Sequence, residues 1–229
     1  GLEAFAQGRN PAFLVSLEVW TTRIIEVDPA GDIVWQWDLS DHLIQDFDAT
    51  KANFGDPALH PELVDFNFTP TFGTADWIHA NGVDYNAELD QIMISSRPFN
   101  EFWIIDHSTS TAEAKGHSGG RSGKGGDLLY RWGNPLTYRA GTVDDQRLWG
   151  QHDAHWIDAG LPGEGDAMVF NNGVNRPGGN RTSIDQLTMP TPDPVTGNYP
   201  MTDGVWGPAA AHWQYGLGEG QEFYSRFVS

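Results

Sequence analysis

Apolar and polar positions alternate along most of the chain in short runs, broken by glycine, proline, asparagine and aspartate. A period of two sends successive side chains to opposite faces of an extended backbone, so these runs predict β-strands. A first group is AFLVSLEVW (residues 12–20), TRIIEVD (22–28) and DIVWQWDL (32–39), with PAGD (29–32) as a tight turn. A second is WIHANGVDYN (77–86), QIMISSR (91–97), EFWIIDH (101–107) and DLLYRWG (127–133). A third is HDAHWID (152–158), DAMVFNNG (166–173), TSIDQLTM (182–189) and AHWQYG (211–216). Long polar connections separate the groups, and the first, residues 40–76, is expected to hold a short helix around 41–48. The second, residues 107–126, is rich in Gly and Ser and reads as a flexible rim loop, and the third, the strings NRPGGNRTS and TPDPVTGNYP within residues 175–200, is turn-like throughout.

The groups form a degenerate repeat. Trp35/Trp37, Tyr130/Trp132 and Trp213/Tyr215 stand two apart in their last strands, so each pair makes one aromatic wall. Four antiparallel strands ending in an aromatic strand is the layout of a β-propeller blade, which makes the expected fold all-β and the architecture a partial β-propeller. The blade-like units span about 1–40, 76–134 and 150–216, and 222–229 reads as the opening strand of a further one. Propellers close with about four to eight blades, so these units account for part of a ring. The chain is therefore expected to be a single incomplete domain, a piece of a longer propeller.

Composition narrows the partners. A formal net charge of −18 over 229 residues argues against nucleic acid and against anionic lipid. The absence of cysteine excludes disulfides and thiol chemistry. No apolar run approaches about 18 residues, so no membrane insertion is expected.

Several chemistries fail on spacing. Gly123-Lys124 is followed by Gly125, not by the Ser or Thr of a phosphate loop. No G-x-S-x-G elbow occurs. His152 and His155 lie three apart in a strand-like run, where they point to opposite faces, no cysteine is available and no EF-hand-type spacing appears, so no metal is expected, and no cofactor is expected for the chain. What remains is a set of polar groups at equivalent places in two successive units: His79, Asn81 and Arg97, then His152. First strands of blades line a propeller's channel, so these residues are expected to meet in space. Imidazole is a competent nucleophile near neutrality, and arginine stabilises anionic oxygens.

The strings DWIHANGVDYNAELDQIMISSRPFNEFWIIDHSTS, GKGGDLLYRWGNP and QHDAHWI, followed by MVFNNG, resemble the bacterial aryl-sulfate sulfotransferases. The resemblance runs through most of the chain and is clearest over residues 76–173. It implies a six-bladed propeller, periplasmic or otherwise exported. The implied reaction moves a sulfuryl group from a phenolic sulfate ester to a phenol acceptor, by a ping-pong mechanism through a sulfohistidine and without a nucleotide donor. It places the nucleophile on His152, the H-x-N motif on His79 and Asn81, and the active-site arginine on Arg97. A further family histidine, in an earlier blade, has no counterpart in GLEAFAQGRN, so this chain alone is expected to carry an incomplete site. The same histidine passing sulfuryl to water, and a non-catalytic ligand-binding propeller, are the alternatives. Donor, acceptor and oligomeric state are not legible.

Overall fold

The structure, a computed structural model, describes residues 2–13, 17–69, 75–218, 220 and 222–227. Its strands in chain order are β1 (Leu2–Glu3), β2 (Glu18–Val19), β3 (Arg23–Val27), β4 (Ile33–Asp38), β5 (Leu43–Ile44), β6 (Val64–Asp65), β7 (Ala80–Asn86), β8 (Gln91–Ser96) and β9 (Glu101–Asp106). A one-turn helix α1 (Thr111–Ala114) precedes β10 (Tyr130–Trp132), β11 (His152–Trp156), β12 (Ala167–Asn171), β13 (Ser183–Leu187), β14 (Met201–Thr202), β15 (Val205–Trp206) and β16 (Trp213–Tyr215). The fold is all-β. Two four-stranded antiparallel meanders dominate it, β7-β8-β9-β10 and β11-β12-β13-β16, with a β3-β4 ribbon before them.

The β7–β10 sheet is covered on both faces, which explains why every residue of β8 and β9 is buried. Ile92, Ile94, Trp103 and Ile105 join Trp35, Trp37 and Trp77 in one core. Met93, Phe102 and Ile104, one position out of phase, join Tyr130, Trp132, Ala154 and Trp156 in the other. Strand periodicity thus sorts one sheet's side chains between two neighbouring layers. The aromatic walls of β4 and β10 are buried, whereas Trp213 and Tyr215 of β16 stack on each other with 46% and 42% exposure. The third wall has the expected geometry but no covering layer among the described residues.

Two sequence expectations need correction. Residues 12–20 do not form one strand: Pro11–Phe13 is a single 3-10 turn and only Glu18–Val19 is extended, while residues 14–16 lie outside the described set. The buried Arg9 fixes this segment. Its guanidinium donates to the carbonyls of Phe66 and Thr69 and lies over the rings of Phe66 and Trp77. Burial lowers its pKa to about 10. Residues 41–48 form no helix. Leu39–Asp41 makes a 3-10 turn, and the buried Leu43–Ile44 pairs in parallel with Val64–Asp65. Of the run 222–229, Glu222 to Phe227 carry no regular element and residues 228–229 lie outside the described set; the Thr182 amide, just before β13, donates to the Phe223 carbonyl at 2.9 Å.

The glycine-rich connection is a built structure. Ser110 and Glu113 cap α1 reciprocally. Asp106 accepts from the amides of Ser108 and Ser122 at 2.9 and 2.8 Å. The connection after β13 reaches back across the molecule: Tyr199 donates to Gln91 at 2.8 Å, and Asn198 to the Ser122 carbonyl at 3.1 Å.

Candidate active site

β7 and β11 are the first strands of the two four-stranded sheets, and they pack against each other. A Cβ added at Gly82 would lie 3.6 Å from the Ala154 amide nitrogen, an ordinary contact distance. Asp84 accepts from the Trp156 amide at 2.8 Å. Near the start of β7, Asn81 donates through Nδ2 to the Gln151 carbonyl at 2.7 Å. Residues far apart in sequence are therefore neighbours at one end of the strand pair.

His79 stands just before β7 with φ 43°, a left-handed conformation rare outside glycine and a marker of functional constraint. Asp76 holds it there, accepting from its amide at 3.1 Å and meeting its Nδ1 at 2.5 Å. This contact turns Nε2 to the far side of the ring from Asp76. His79 and Asn81 line an open groove of about 660 Å3, shared with Trp20, Thr22 and Arg23. His152 does not line that groove. Asn81 Nδ2 carries a second hydrogen beyond the one given to Gln151, and its Oδ1 is buried without a partner.

Gln151, which sequence reasoning passed over, fixes the start of β11. It is fully buried, and its Nε2 lies 2.8 Å from the Glu101 carbonyl, 3.0 Å from the Ser96 carbonyl and 3.2 Å from Ser95 Oγ. Just before it, Gly150 adopts φ 68° and donates its amide to Asn100 Oδ1 at 2.7 Å. A Cβ at Gly150, two residues before His152, would sit 3.6 Å from Arg97 Nη2, so the guanidinium passes close over this glycine. Burial lowers the pKa of Arg97, and the nearby Arg226 lowers it further. Arg226, a second residue the sequence did not single out, thus stands close enough to act on Arg97.

His152 is half-buried, and its Nδ1 lies 2.7 Å from Asn172 Oδ1. The orientation of the Asn172 amide follows from its other end, which donates through Nδ2 to the Ser225 carbonyl at 2.9 Å. Oδ1 can only accept, so Nδ1 of His152 carries the hydrogen and the neutral ring presents its lone pair at Nε2. Asp153 follows with φ 51°, and a register shift separates His152 from His155. His155 turns instead to the Asp153 carbonyl, 3.1 Å from its Nδ1. Among the described residues, the cluster with metal-ligand spacing includes none of His79, His152 and His155.

Asn172 supplies a specific prediction. Asn172→Ala removes the acceptor that fixes the tautomer, and turnover is expected to fall roughly 10–100-fold with little change in KM. Steady-state kinetics across pH check it; an unchanged kcat would remove Asn172 from the site.

Comparison with known proteins adds the family. The chain is 28% identical over 243 aligned positions to the arylsulfate sulfotransferase AssT of Lelliottia amnigena, covering 93% of this chain and 38% of that protein. It is 27% identical over 237 positions to the arylsulfate sulfotransferase AssT of Escherichia coli O6:H1 strain CFT073, covering 90% of this chain and 36% of that protein. The chain therefore spans well under half the length of either relative. The family described as Arylsulfotransferase (ASST) matches residues 15–229, nearly the whole sequence, and the chain belongs to that family.

Proposed function

We propose that this chain carries the sulfuryl-transfer centre of an aryl-sulfate sulfotransferase, with His152 as the nucleophile. The observation that carries the reading is the Nδ1 contact to Asn172, which leaves Nε2 as the attacking lone pair. In the first half-reaction Nε2 forms a bond to sulfur, the bond from sulfur to the aryl oxygen breaks, and that oxygen leaves with the electron pair. His79, oriented by Asp76, delivers a proton to it. Arg97, Arg226 and the second Asn81 hydrogen meet the charge on the sulfuryl oxygens. In the second half-reaction the oxygen of a phenol attacks sulfur, His79 takes its proton, and the bond to Nε2 breaks. No cofactor enters this scheme.

The same reading takes the two meanders and the β3-β4 ribbon as blades of a propeller with channel-lining first strands, in which about three of six blades are represented. The packing of β7 against β11 supports it. A periplasmic or secreted location belongs to the reading as well, as do small phenolic donors and acceptors as the partners. Among the described residues no helix is long and apolar enough to cross a membrane.

The test is direct. The full-length gene product that carries this sequence is incubated with a chromogenic aryl sulfate, without acceptor, quenched and digested. A sulfuryl adduct is expected on the peptide carrying His152, and it should discharge when a phenol is added, yielding the sulfated phenol. Turnover with the adduct elsewhere, or with none, would overturn the mechanism. Discharge to water alone would make the protein a sulfate-ester hydrolase.

A further inference from the structure

A second cluster of imidazole and carboxylate lies apart from the residues just described. His42 follows the 3-10 turn Leu39–Asp41, His117 stands in the glycine-rich connection after α1, and Asp127 ends that connection. Nδ1 of His42 is 2.8 Å from Asp127 Oδ1, and Nδ1 of His117 is 2.7 Å from the same oxygen. The ligand atoms of all three residues lie within 4.8 Å of one another. His42 is fully buried, its ring stacked on Trp37 at 5.5 Å and edge-on to His117 at 5.8 Å.

The hydrogen bonds of His42 are the informative part. Its Nε2 sits 2.9 Å from the Ala114 carbonyl, which can only accept, so Nε2 carries a hydrogen. In the neutral ring Nδ1 then directs a lone pair at a carboxylate oxygen. Two lone pairs that close need a cation between them, either a proton or a metal ion. A ring nitrogen bonded to a backbone carbonyl, with the other nitrogen turned to a shared centre, is the outer-shell arrangement of a metal-bound histidine. His117 adds a second Nδ1 from the solvent side; its side chain is 60% exposed and borders a groove of about 400 Å3.

We propose that His42, His117 and Asp127 bind a divalent transition-metal ion, Zn2+ being the best match. Two imidazole nitrogens and one carboxylate oxygen suit a tetrahedral Zn2+ with a solvent molecule in the fourth position, and do not suit Ca2+, which gathers six to eight oxygens. Bonds of about 2.1 Å set tetrahedral ligand atoms roughly 3.4 Å apart. The side chains therefore need to open by several tenths of an ångström, a movement the exposed His117 ring can make. The ion would pin the glycine-rich connection to the segment leaving β4, joining the ribbon to the β7–β10 sheet. The sequence reading expected no metal; these three ligands come from positions with no shared spacing.

Zinc binding to the 229-residue chain, first stripped with chelator, tests the site. Elemental analysis after dialysis should find one Zn2+ per chain, added Zn2+ but not Mg2+ should raise Tm, and Co2+ should give visible d–d absorption of a tetrahedral centre. His117→Ala, at an exposed position, should fold normally and bind Zn2+ at least about 10-fold more weakly, and Asp127→Asn likewise. His60→Ala, in the same groove but outside the cluster, should bind as the parent does. Substoichiometric zinc in the parent, or parent-like affinity in both His117→Ala and Asp127→Asn, would overturn the proposal. These readouts are of binding, so their failure leaves the role of His152 standing.

Discussion

His152→Asn is expected to lower turnover of an aryl sulfate by at least roughly 10^3-fold, about 4 kcal/mol of transition-state stabilisation. Asparagine keeps a polar group of similar reach but offers no basic lone pair, so no bond to sulfur can form. The residue is half-buried at a strand start, so the loss should come without a matching drop in melting temperature. His79 provides the internal contrast. Its proposed task is to protonate the departing aryl oxygen, a task that matters less as that oxygen becomes a better leaving group. In the first half-reaction, read as the burst of released phenol, His79→Ala should therefore recover with nitrophenyl sulfates, whereas His152→Asn should not. Rates on a series of phenyl sulfates of falling phenol pKa check both. A His152→Asn protein with parent-like rates would place the nucleophile elsewhere and favour a channel that only binds ligands.

How much of this was legible follows from what each interaction depends on. The strands of the two meanders could be read because alternation is a local property, and QIMISS and EFWIID gained a second signal from burial on both faces. The run at residues 12–20 misled because its apolar residues looked like a strand, while Pro11–Phe13 turns as a 3-10 helix just after Arg9, whose guanidinium is buried against residues near 66 and 69. The 41–48 run misled for a related reason: two buried residues pair in parallel with a distant two-residue strand, and no helical pattern predicts that. In the site, His79, Asn81, Arg97 and His152 stood out by type and repeat position. Asp76 was within reach, three residues before His79, as a side chain able to cap its amide. Asn172 and Arg226 were not. Asn172 matters because, one residue beyond β12 and two beyond Phe170, the ladder partner of His152, its side chain accepts from that histidine, and Arg226 because an irregular segment brings it near Arg97. Alternation tells which face a side chain occupies; it does not tell what stands opposite.

The largest effect on stability should come from behind the site. Arg131→Met is expected to destabilise the protein by about 3–5 kcal/mol, because it strands the carboxylate of Glu101 in the core. Both residues are fully buried. Arg131 Nη2 lies 2.6 Å from Glu101 Oε2 and 2.7 Å from Thr137 Oγ1, while Nη1 donates to the carbonyls of Pro61 and Leu63 at 3.2 and 3.0 Å. The guanidinium also lies over the Tyr138 ring at 4.8 Å. One side chain thus ties the 61–63 segment, β9 and the turn after β10. For a chain of this size the loss corresponds to a fall in Tm on the order of 10 °C, measurable by calorimetry. The pair is not expected to be worth that much in itself, since desolvating two charges offsets most of their attraction. Glu101→Leu combined with Arg131→Met removes both charges and should recover a large part of the stability lost in Arg131→Met alone. The recovery should be incomplete, because Trp103 Nε1 also donates to Glu101 Oε2 at 2.9 Å and would lose its acceptor. A double variant no more stable than Arg131→Met would mean that the stranded carboxylate is not the source of the loss, and that the bonds to Pro61 and Leu63 carry it.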